Sequence, residues 1–312
     1  MKRCVLFGAF ILSLLLASSR MARADTLTFT TIDVPGAIAT APSGINDSNQ
    51  IVGSYSDAST SHGFLYSGGG FTTIDVPGAT GTLPSVINNS GQIVGNYATA
   101  SVIALGYLYS GGSYTTLIPP GATTPTFTAA NGINNNGEVV GVVRDASGTH
   151  GYLYNGGAFT PINVAGATFT NAFGINDSGQ IVGAFKNASG DHGFLDIGGV
   201  LTTIDVPGAT NTLAAEINNS GEIVGIFTDA SGEHGFLDTG GVFTTVDVPG
   251  ATTTDVNGIN NNGQIVGDYV DAQGVFHGFS ATVPEPGTLV LFGTGLIALA
   301  RASRRSSRPK AK

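Results

Sequence analysis

The sequence of 312 residues contains no tryptophan and a single cysteine, Cys4. Cys4 lies in the apolar N-terminal segment, so the rest of the chain has no disulfide, no thiol nucleophile and no thiolate metal ligand. Positive charge is also scarce: Arg144 and Lys186 are the only cations between residues 25 and 300, against 20 acidic residues from 25 to 283. Because binding to phosphates needs clustered lysine and arginine, this composition excludes nucleic acid and anionic lipid as partners of the acidic region.

Familiar signatures of catalysis are missing as well. The chain has no HExxH-like pair of metal ligands and no G-x-S-x-G segment that would present a nucleophilic serine. We therefore expect no catalytic residue, no metal site and no cofactor.

The first 24 residues are organised like a secretory signal peptide. Lys2 and Arg3 are basic, residues 5–17 are apolar, and residues 22–24 (Ala-Arg-Ala) fit a cleavage site. The alternative is an uncleaved membrane anchor, but this apolar stretch is shorter than the roughly 20 residues of a spanning helix. Residues 1–24 therefore predict export.

A ten-residue motif recurs six times and organises residues 25–283. Its closing glycines are 42 residues apart, except for one interval of 46. The copies are GINDSNQIVG (44–53), VINNSGQIVG (86–95), GINNNGEVVG (132–141), GINDSGQIVG (174–183), EINNSGEIVG (216–225) and GINNNGQIVG (258–267). A fixed period of this length is typical of repeat architectures, in which each unit packs on its neighbours.

Each unit contains four short runs that suit strands. In the first unit, one run ends at residues 44–46, a polar turn follows, and further runs cover 50–56, 62–66 and 71–76. These runs are rich in β-branched and aromatic residues and are too short for helices. The pattern predicts an all-β fold, a six-bladed β-propeller of four-stranded repeats, with a β-solenoid as the alternative.

The two ends of the repeat region predict how the propeller closes. The last unit has no fourth run, because Pro284 and Glu285 follow Val283, whereas the chain begins with an orphan fourth run at residues 29–34. We expect this N-terminal strand to complete the last blade and close the ring. A solenoid would not account for the orphan strand.

Two residue types recur at fixed repeat positions. An asparagine occupies one turn position in every unit, where its side chain is expected to bond the turn backbone. These residues are Asn46, Asn88, Asn134, Asn176, Asn218 and Asn260. The alternative is that these six asparagines form a ring of ligands. A histidine precedes the third run in five units, and we expect a structural or surface role for it.

A function carried by one blade is expected where the units differ. Glu216 replaces the glycine or valine that begins the motif elsewhere. Because first strands commonly line a propeller channel, Glu216 is the candidate channel residue. Four extra residues around 124–127 also lengthen the connection into the third unit.

The C-terminal segment, residues 284–312, has three parts. Pro284, Glu285 and Pro286 precede an apolar run at 288–300. The basic end contains Arg301, Arg304, Arg305 and Arg308. Basic residues after an apolar segment hold that end in the cytoplasm, which predicts a membrane anchor at residues 288–300. A permanent single-pass anchor is the alternative.

This tail resembles the PEP-CTERM sorting signal of Gram-negative, exopolysaccharide-producing bacteria. The resemblance implies that residues 288–300 anchor the chain only transiently in the inner membrane and that an exosortase-type membrane protease recognises the tail. It also implies that the body reaches the cell surface or extracellular matrix. Over about residues 27–282, the repeats resemble the extracellular HAF-type repeat through segments such as GINDSGQIVG, HGFLYSGG and FTTIDVPGA. That second resemblance implies a location but no agreed activity.

Three hypotheses of function follow. The first is a non-catalytic exported protein with a structural or exopolysaccharide-binding role, although the missing tryptophan weakens a lectin assignment. Five tyrosines are expected either to stack on sugar rings or, as the alternative, to pack between blades. They are Tyr55, Tyr66, Tyr97, Tyr109 and Tyr154. The second is a glycan-active hydrolase or lyase, which needs two carboxylates about 5–10 Å apart, Glu216 being one candidate. The third is a membrane-anchored interaction platform.

Overall fold

A computed structural model describes residues 27–102, 104–122 and 127–283. The signal segment, the sorting motif, the apolar run and the C-terminal arginines lie outside the described residues. The described chain consists of strands and turns without a helix, which confirms the all-β prediction. Accordingly, this part of the chain offers no helix that is long and apolar enough to cross a membrane.

Twenty-four strands follow one another along the described residues. They are β1 (Thr28–Thr31), β2 (Ala39–Ile45), β3 (Ile51–Ser56), β4 (Ser61–Ser67), β5 (Gly70–Thr73), β6 (Gly81–Ile87), β7 (Ile93–Ala98), β8 (Leu105–Ser110), β9 (Ser113–Leu117), β10 (Thr128–Ile133), β11 (Val139–Asp145), β12 (Gly148–Asn155), β13 (Ala158–Ile162), β14 (Phe169–Ile175), β15 (Gln180–Asn187), β16 (Gly190–Ile197), β17 (Val200–Ile204), β18 (Asn211–Ile217), β19 (Glu222–Thr228), β20 (Glu233–Thr239), β21 (Val242–Val246), β22 (Thr253–Ile259), β23 (Gln264–Val270) and β24 (Phe276–Thr282).

The strands form six antiparallel groups of four. Groups 1 to 5 are β2–β5, β6–β9, β10–β13, β14–β17 and β18–β21, each a meander of strands consecutive in the chain. Group 6 contains β22, β23 and β24, and β1 is its fourth strand, pairing antiparallel with β24. Single parallel bridges, Thr149 to Phe169 and Asp191 to Asn211, join groups 3, 4 and 5 into one 12-stranded sheet.

The fourth strand of a group is shorter than the sequence predicts. In group 1 it ends at Thr73 instead of Val76. Asp75 Oδ1 accepts a hydrogen bond of 3.0 Å from the N–H of Gly63, and the N–H of Val76 donates to Thr82 Oγ1 at 3.0 Å. At this end of the strand, hydrogen bonds to side chains therefore replace hydrogen bonds between strand backbones.

The apolar core lies between neighbouring groups. One cluster contains Val182 of group 4 together with Ile217 and Phe236 of group 5. Another contains Val266 of group 6 together with Phe64 of group 1. Burial of each such side chain contributes about 1.5–3 kcal/mol, so the groups stabilise one another.

A β-bulge interrupts every first strand just before its turn. In group 1 the register shifts between Pro42 and Gly44, and in group 5 it shifts between Ala214 and Glu216. A bulge changes the direction of the side chain that follows it. The residues after these bulges include Glu216, which lines a cavity shared by all six groups.

Candidate functional site

Residues from all six groups line one central cavity of about 60 Å³. Each group contributes the end of its first strand and the following turn. The lining contains three carboxylates, those of Asp47, Asp177 and Glu216, and it contains no lysine, arginine or histidine. The central cavity is therefore an acidic site built by the repeat motif itself.

The motif asparagine stabilises its own turn. In group 1, Asn46 Oδ1 accepts hydrogen bonds of 3.0 Å from the N–H groups of Ser48 and Gln50, and Asn46 Nδ2 donates to Gln50 Oε1 at 2.8 Å. The same Nδ2 also donates to the backbone carbonyl of Asn88 in the next group, at 3.1 Å. Sequence reasoning missed this second contact, because a turn pattern carries no information about the neighbouring unit.

This contact between groups repeats around the central cavity. Each motif asparagine donates from Nδ2 to the backbone carbonyl of the next one, over 3.0–3.3 Å. The order is Asn46, Asn88, Asn134, Asn176, Asn218, Asn260 and again Asn46. All six side chains are buried, where satisfied hydrogen bonds are strong and lost ones are costly.

A second ring lies one residue further along each turn. It consists of Asp47, Asn89, Asn135, Asp177, Asn219 and Asn261, and each backbone N–H donates to Oδ1 of the next residue at 2.8–2.9 Å. Asp47 Oδ2 also accepts from Asn89 Nδ2 and Asn261 Nδ2. Partial burial raises the pKa of Asp47 and of Asp177, but these hydrogen bonds outweigh it and hold each pKa below its usual range.

Glu216 also lines the central cavity and is only 7% exposed. Its Oε1 accepts a hydrogen bond of 3.0 Å from the N–H of Ile217, whereas its Oε2 has no hydrogen-bond partner. Burial raises the pKa of Glu216 to about 8, against the opposing effect of the N–H groups of Ile217 and Ile175. The candidate channel residue is therefore a buried carboxyl group with one unsatisfied oxygen.

The five histidines lie apart from one another, one in each of five groups. His62 Nδ1 is 2.7 Å from Asp75 Oδ2, and its Nε2 is 3.3 Å from Asp57 Oδ2. In group 6, His277 Nδ1 lies 2.7 Å from Oδ2 of Asp33, a residue that follows β1. Hydrogen bonds to these carboxylates outweigh desolvation and raise the pKa of His62 and His277.

Group 5 contains a serine, a histidine and an aspartate connected like a hydrolase triad. Ser231 Oγ lies 3.0 Å from His234 Nε2, and His234 Nδ1 lies 3.0 Å from Asp247 Oδ2. However, Ser231 Oγ donates its only proton to Asp229 Oδ1 at 2.5 Å. Because a nucleophilic serine must direct that proton at the base, this arrangement stabilises a turn and does not activate the hydroxyl group.

A second cavity, of about 390 Å³, opens on group 3, and we call it the group 3 cleft. It lies beside the lengthened connection between β9 and β10, whose Ala122 bridges to Asp145. Its lining consists of Pro119, Pro120, Val143, Asp145, Ser147, His150, Gly151, Tyr152, Phe159, Pro161 and Asn163. The sequence shows the four extra residues. It does not reveal a cleft, because a cleft depends on how the prolines pack against the rest of the group.

Hydrogen bonds fix the polar side of the group 3 cleft. Ser147 Oγ donates to Asp145 Oδ1 and lies 2.8 Å from His150 Nε2. His150 Nδ1 lies 2.6 Å from Asn163 Oδ1. The apolar lining residues include Phe159, whose ring centroid is 4.9 Å from that of Tyr154. The cleft thus combines an ordered polar edge with an apolar wall.

The tyrosines considered for sugar stacking contact side chains of their own groups. Tyr55 stacks on His62 with a centroid distance of 5.1 Å, and its hydroxyl group lies 3.1 Å from Thr73 Oγ1. Tyr66, Tyr97, Tyr109 and Tyr154 also contact neighbouring aromatic rings. These rings therefore contribute to packing within each group.

Two aspartates face each other in group 6, Asp255 on β22 and Asp268 on β23. Directly opposed cross-strand residues have β-carbons about 4.5–5.5 Å apart. Burial, followed by the charges of Asp268 and Glu233, raises the pKa of Asp255 to about 7. Burial and the charge of Glu233 raise the pKa of Asp268 to about 6. Across the described ranges, no group of three or more histidine, cysteine, aspartate or glutamate residues is arranged to hold a metal ion.

The C-terminal segment matches a known family model. Residues 282–305 match the PEP-CTERM protein-sorting motif, which implies export, transient membrane anchoring through the C-terminal region and recognition by an exosortase. No curated protein matches the chain. The sorting motif is thus the part of this chain with a recognised role.

The repeat region is similar to solved β-propellers. A TolB from Agrobacterium tumefaciens superposes with a TM-score of 0.56 at 11% identity, over 80% of this chain and 91% of that chain. AofleA from Arthrobotrys oligospora has a TM-score of 0.51 at 10% identity, over 84% and 91% respectively. TolB from Acinetobacter baumannii has a TM-score of 0.50 at 11% identity over 82% of this chain, which spans only 55% of that longer protein. At such low identity the likeness shows the fold alone, so this chain is an all-β, propeller-like protein that carries a PEP-CTERM sorting motif.

Proposed function

We propose that this chain is an exported, six-bladed β-propeller of HAF-type repeats that binds a polysaccharide at the cell surface or in the exopolysaccharide matrix, without catalysis. The observation that carries the binding role is the group 3 cleft, a cavity of about 390 Å³ in the one unit that has a lengthened connection. Small-molecule sites are typically concave, about 300–1,000 Å³ in volume and mostly apolar, with a few convergent polar groups.

Contacts between groups 6 and 1 support a closed ring of six blades. The strand pair β1–β24 joins the two ends of the repeat region, with Thr28 opposite Thr282. Asn260 donates a hydrogen bond to the carbonyl of Asn46, and Val266 packs in the same cluster as Phe64. In this arrangement the N-terminal segment is part of the last blade.

The chemistry of the group 3 cleft suits a sugar. The apolar C–H face of a pyranose ring can rest on Phe159 and the exposed prolines, Pro120 and Pro161, while its hydroxyl groups reach Asn163 and Ser147 at the polar edge. Because the repeat region has two cations against 20 acids, it repels acidic polymers. We therefore propose a neutral or amino-sugar polysaccharide rather than a uronic acid polymer.

A glycan array tests this proposal. The exported protein is applied to an array that carries neutral, amino-sugar and uronic acid polysaccharides of the bacterial envelope. Retention on neutral or amino-sugar glycans supports the proposal. Retention on uronic acid polymers alone, or on no envelope glycan, rejects it.

The facing carboxylates of Asp255 and Asp268 favour a second candidate, a glycan-active hydrolase. A retaining mechanism uses two carboxyl groups about 5–5.5 Å apart, one of which must be protonated, and both pKa values in this pair are raised. The measurement is the release of reducing ends from envelope polysaccharides. Release that disappears in Asp268→Asn favours the hydrolase, whereas the binding protein releases none.

A further inference from the structure

We propose that one face of the repeat region rests on a bilayer of zwitterionic lipid while the sorting tail anchors the chain, and that the apolar hairpins of groups 4 and 5 contact the lipid. This turn face consists of the motif turns and the hairpin tips between third and fourth strands, at residues 46–50 and 67–70 in group 1. Consecutive turns of an antiparallel meander alternate between its two ends, so both kinds of turn lie at one end of each group.

The hydrogen bonds between the motif asparagines join these six ends into one face. The opposite end is the loop face. It consists of the loops after second strands and the segments after fourth strands, at 57–60 and 74–80 in group 1. The two faces can therefore be compared as candidate membrane contacts.

The chain leaves the fold at the turn face. Strand β24, the third strand of group 6, ends there at Thr282. The N–H of the next residue, Val283, donates a hydrogen bond of 2.8 Å to the backbone carbonyl of Gly263, which lies in the turn between β22 and β23. Val283 is thus fixed to the turn face, and the tail starts from that face.

The tail holds the turn face close to the membrane. Only residues 284–287 separate Val283 from the apolar run that begins at residue 288. A fully extended chain covers at most about 3.6 Å per residue, so this run begins within about 18 Å of Val283. The sorting motif implies transient membrane anchoring through this C-terminal region. The turn face therefore lies beside the bilayer for as long as the tail is attached.

The hairpins of groups 4 and 5 present branched apolar side chains at the turn face. Ile197 and Val200 flank the turn between β16 and β17 and are 52% and 69% exposed, and Val242 begins β21 and is 62% exposed. Groups 1 and 2 have small residues at the two ends of this turn, namely Ser67, Gly70, Ser110 and Ser113. Because apolar side chains gain free energy when they leave water, groups 4 and 5 are the part of the turn face that suits lipid contact.

A buried aspartate orders each of these two hairpins. Asp196 Oδ1 accepts a hydrogen bond of 2.7 Å from the N–H of Gly199, and Asp238 Oδ1 accepts one of 2.6 Å from the N–H of Gly241. Groups 1 to 3 have a tyrosine at the position of the aspartate, namely Tyr66, Tyr109 and Tyr154. Since the two hairpins are already ordered, little conformational entropy is lost when they contact a surface.

The distribution of charge favours the same orientation. The loop face carries aspartates in several groups, among them Asp33, Asp57, Asp75, Asp229, Asp247 and Asp271. Arg144 and Lys186 lie at that face too, but they are outnumbered, and Lys186 pairs with Asp191 at 2.9 Å. Beside the motif turns, each carboxylate accepts a hydrogen bond from an asparagine side chain, and these residues are Asp47, Glu138, Asp177 and Glu222. An anionic surface therefore repels the loop face more strongly than the turn face.

Tryptophan fluorescence of the full-length chain, with its tail, in phosphatidylcholine vesicles tests the proposal. Because the chain contains no tryptophan, one introduced tryptophan reports only its own surroundings. Val200→Trp and Val242→Trp report on the turn face. Ile38→Trp is the matched control, because Ile38 is 63% exposed, much like Val242, but lies at the loop face between β1 and β2. Quenching is measured with lipids brominated near the headgroup end of the acyl chains and with iodide in the water.

We expect Val200→Trp and Val242→Trp to emit at shorter wavelength in vesicles, to be quenched by the brominated lipid and to be shielded from iodide. Ile38→Trp should be quenched by iodide and not by the brominated lipid. Equal lipid quenching at the two faces, or none at Val200→Trp and Val242→Trp, overturns the proposal. Shielding of the hairpins in bacterial membrane vesicles but not in pure lipid would assign them to a membrane protein and would overturn it as well.

Discussion

Asn260 Nδ2 donates a hydrogen bond of 3.1 Å to the backbone carbonyl of Asn46, which lies 214 residues earlier in the chain. This contact repeats the one between Asn46 and Asn88, where the two residues lie in consecutive units. The motif asparagine therefore has the same two tasks in every unit. It holds its own turn, and it connects that turn to the next group.

Replacing one motif asparagine should destabilise the whole repeat region. Asn176→Ala removes hydrogen bonds to the N–H groups of Ser178 and Gln180, to Gln180 Oε1 and to the carbonyl of Asn218. We expect a loss of about 2–4 kcal/mol in the free energy of unfolding, measured by chemical denaturation. Ser178→Ala in the same turn is the control and should change stability by less than about 0.5 kcal/mol. Equal effects of the two substitutions would contradict the role assigned to the asparagine.

The N-terminal strand should stabilise the protein as much as a fourth strand inside a group does. Ile32 follows β1 and is 7% exposed, and Ile204 at the end of β17 is 8% exposed. Replacing either residue by alanine should therefore lower the free energy of unfolding by a similar amount, about 2–4 kcal/mol. Chemical denaturation of Ile32→Ala and Ile204→Ala measures this. A negligible effect of Ile32→Ala beside a large effect of Ile204→Ala would mean that the N-terminal strand does not complete group 6.

Glu216 should make the protein less stable as the pH rises. The folded pKa is raised to about 8 from an ordinary value of 4.5, so the folded protein keeps a proton that the unfolded chain has released. Stability linked to this group is present below about pH 4.5 and is lost as the pH rises towards 8. Glu216→Gly should therefore raise the melting temperature at pH 9 by roughly 3–6 °C and should have less effect at pH 5. A gain of equal size at both values of pH would contradict the buried carboxyl account.

The pairs formed by His62 and His277 should contribute to the same trend from the protein surface. The pKa of His62 is raised by its hydrogen bond to Asp75, so this contribution is present below about pH 6.5 and is lost as the pH rises through the higher folded value. Group 2 lacks both partners, with Leu105 and Ile118 in their places. The double variant His62→Leu, Asp75→Ile copies that unit, and thermal melting at pH 5 and pH 8.5 should show a smaller difference than in the wild type. An unchanged difference would mean that this pair does not titrate with folding.

Local features of the repeat were predictable because they depend on short stretches of sequence. The turn after Ile45 was expected from residues that tolerate positive φ, and Asn49 adopts a φ of 60° there, where other units have glycine. The all-β content followed from the short β-branched runs. Fourth strands were predicted too long, because Asp75 and Thr82 bond the backbone through side chains that a propensity pattern does not detect.

Features that depend on contacts between units could not be predicted in the same way. The hydrogen bond from Asn46 to the carbonyl of Asn88 needs the spatial neighbour of each turn. Glu216 became a candidate through one break in the repeat, but the sequence does not show that its Oε2 is buried without a hydrogen-bond partner. The group 3 cleft is lined by Pro119 and Pro120, and the longer interval in the sequence lies in the same unit.

The role of the group 3 cleft is the central functional claim, and matched variants of the cleft test it most directly. Phe159→Leu with Pro161→Thr gives group 3 the residues found in group 4, Leu201 and Thr203, so the fold should be kept while the apolar wall is lost. Phe243→Leu makes the same aromatic change in group 5, outside the cleft. The measurement is the equilibrium affinity for the glycan that the array identifies. We expect the cleft variant to bind about tenfold more weakly or worse, a loss of about 1.4 kcal/mol, and Phe243→Leu to bind like the wild type. Equal affinities for all three proteins would contradict binding in the group 3 cleft.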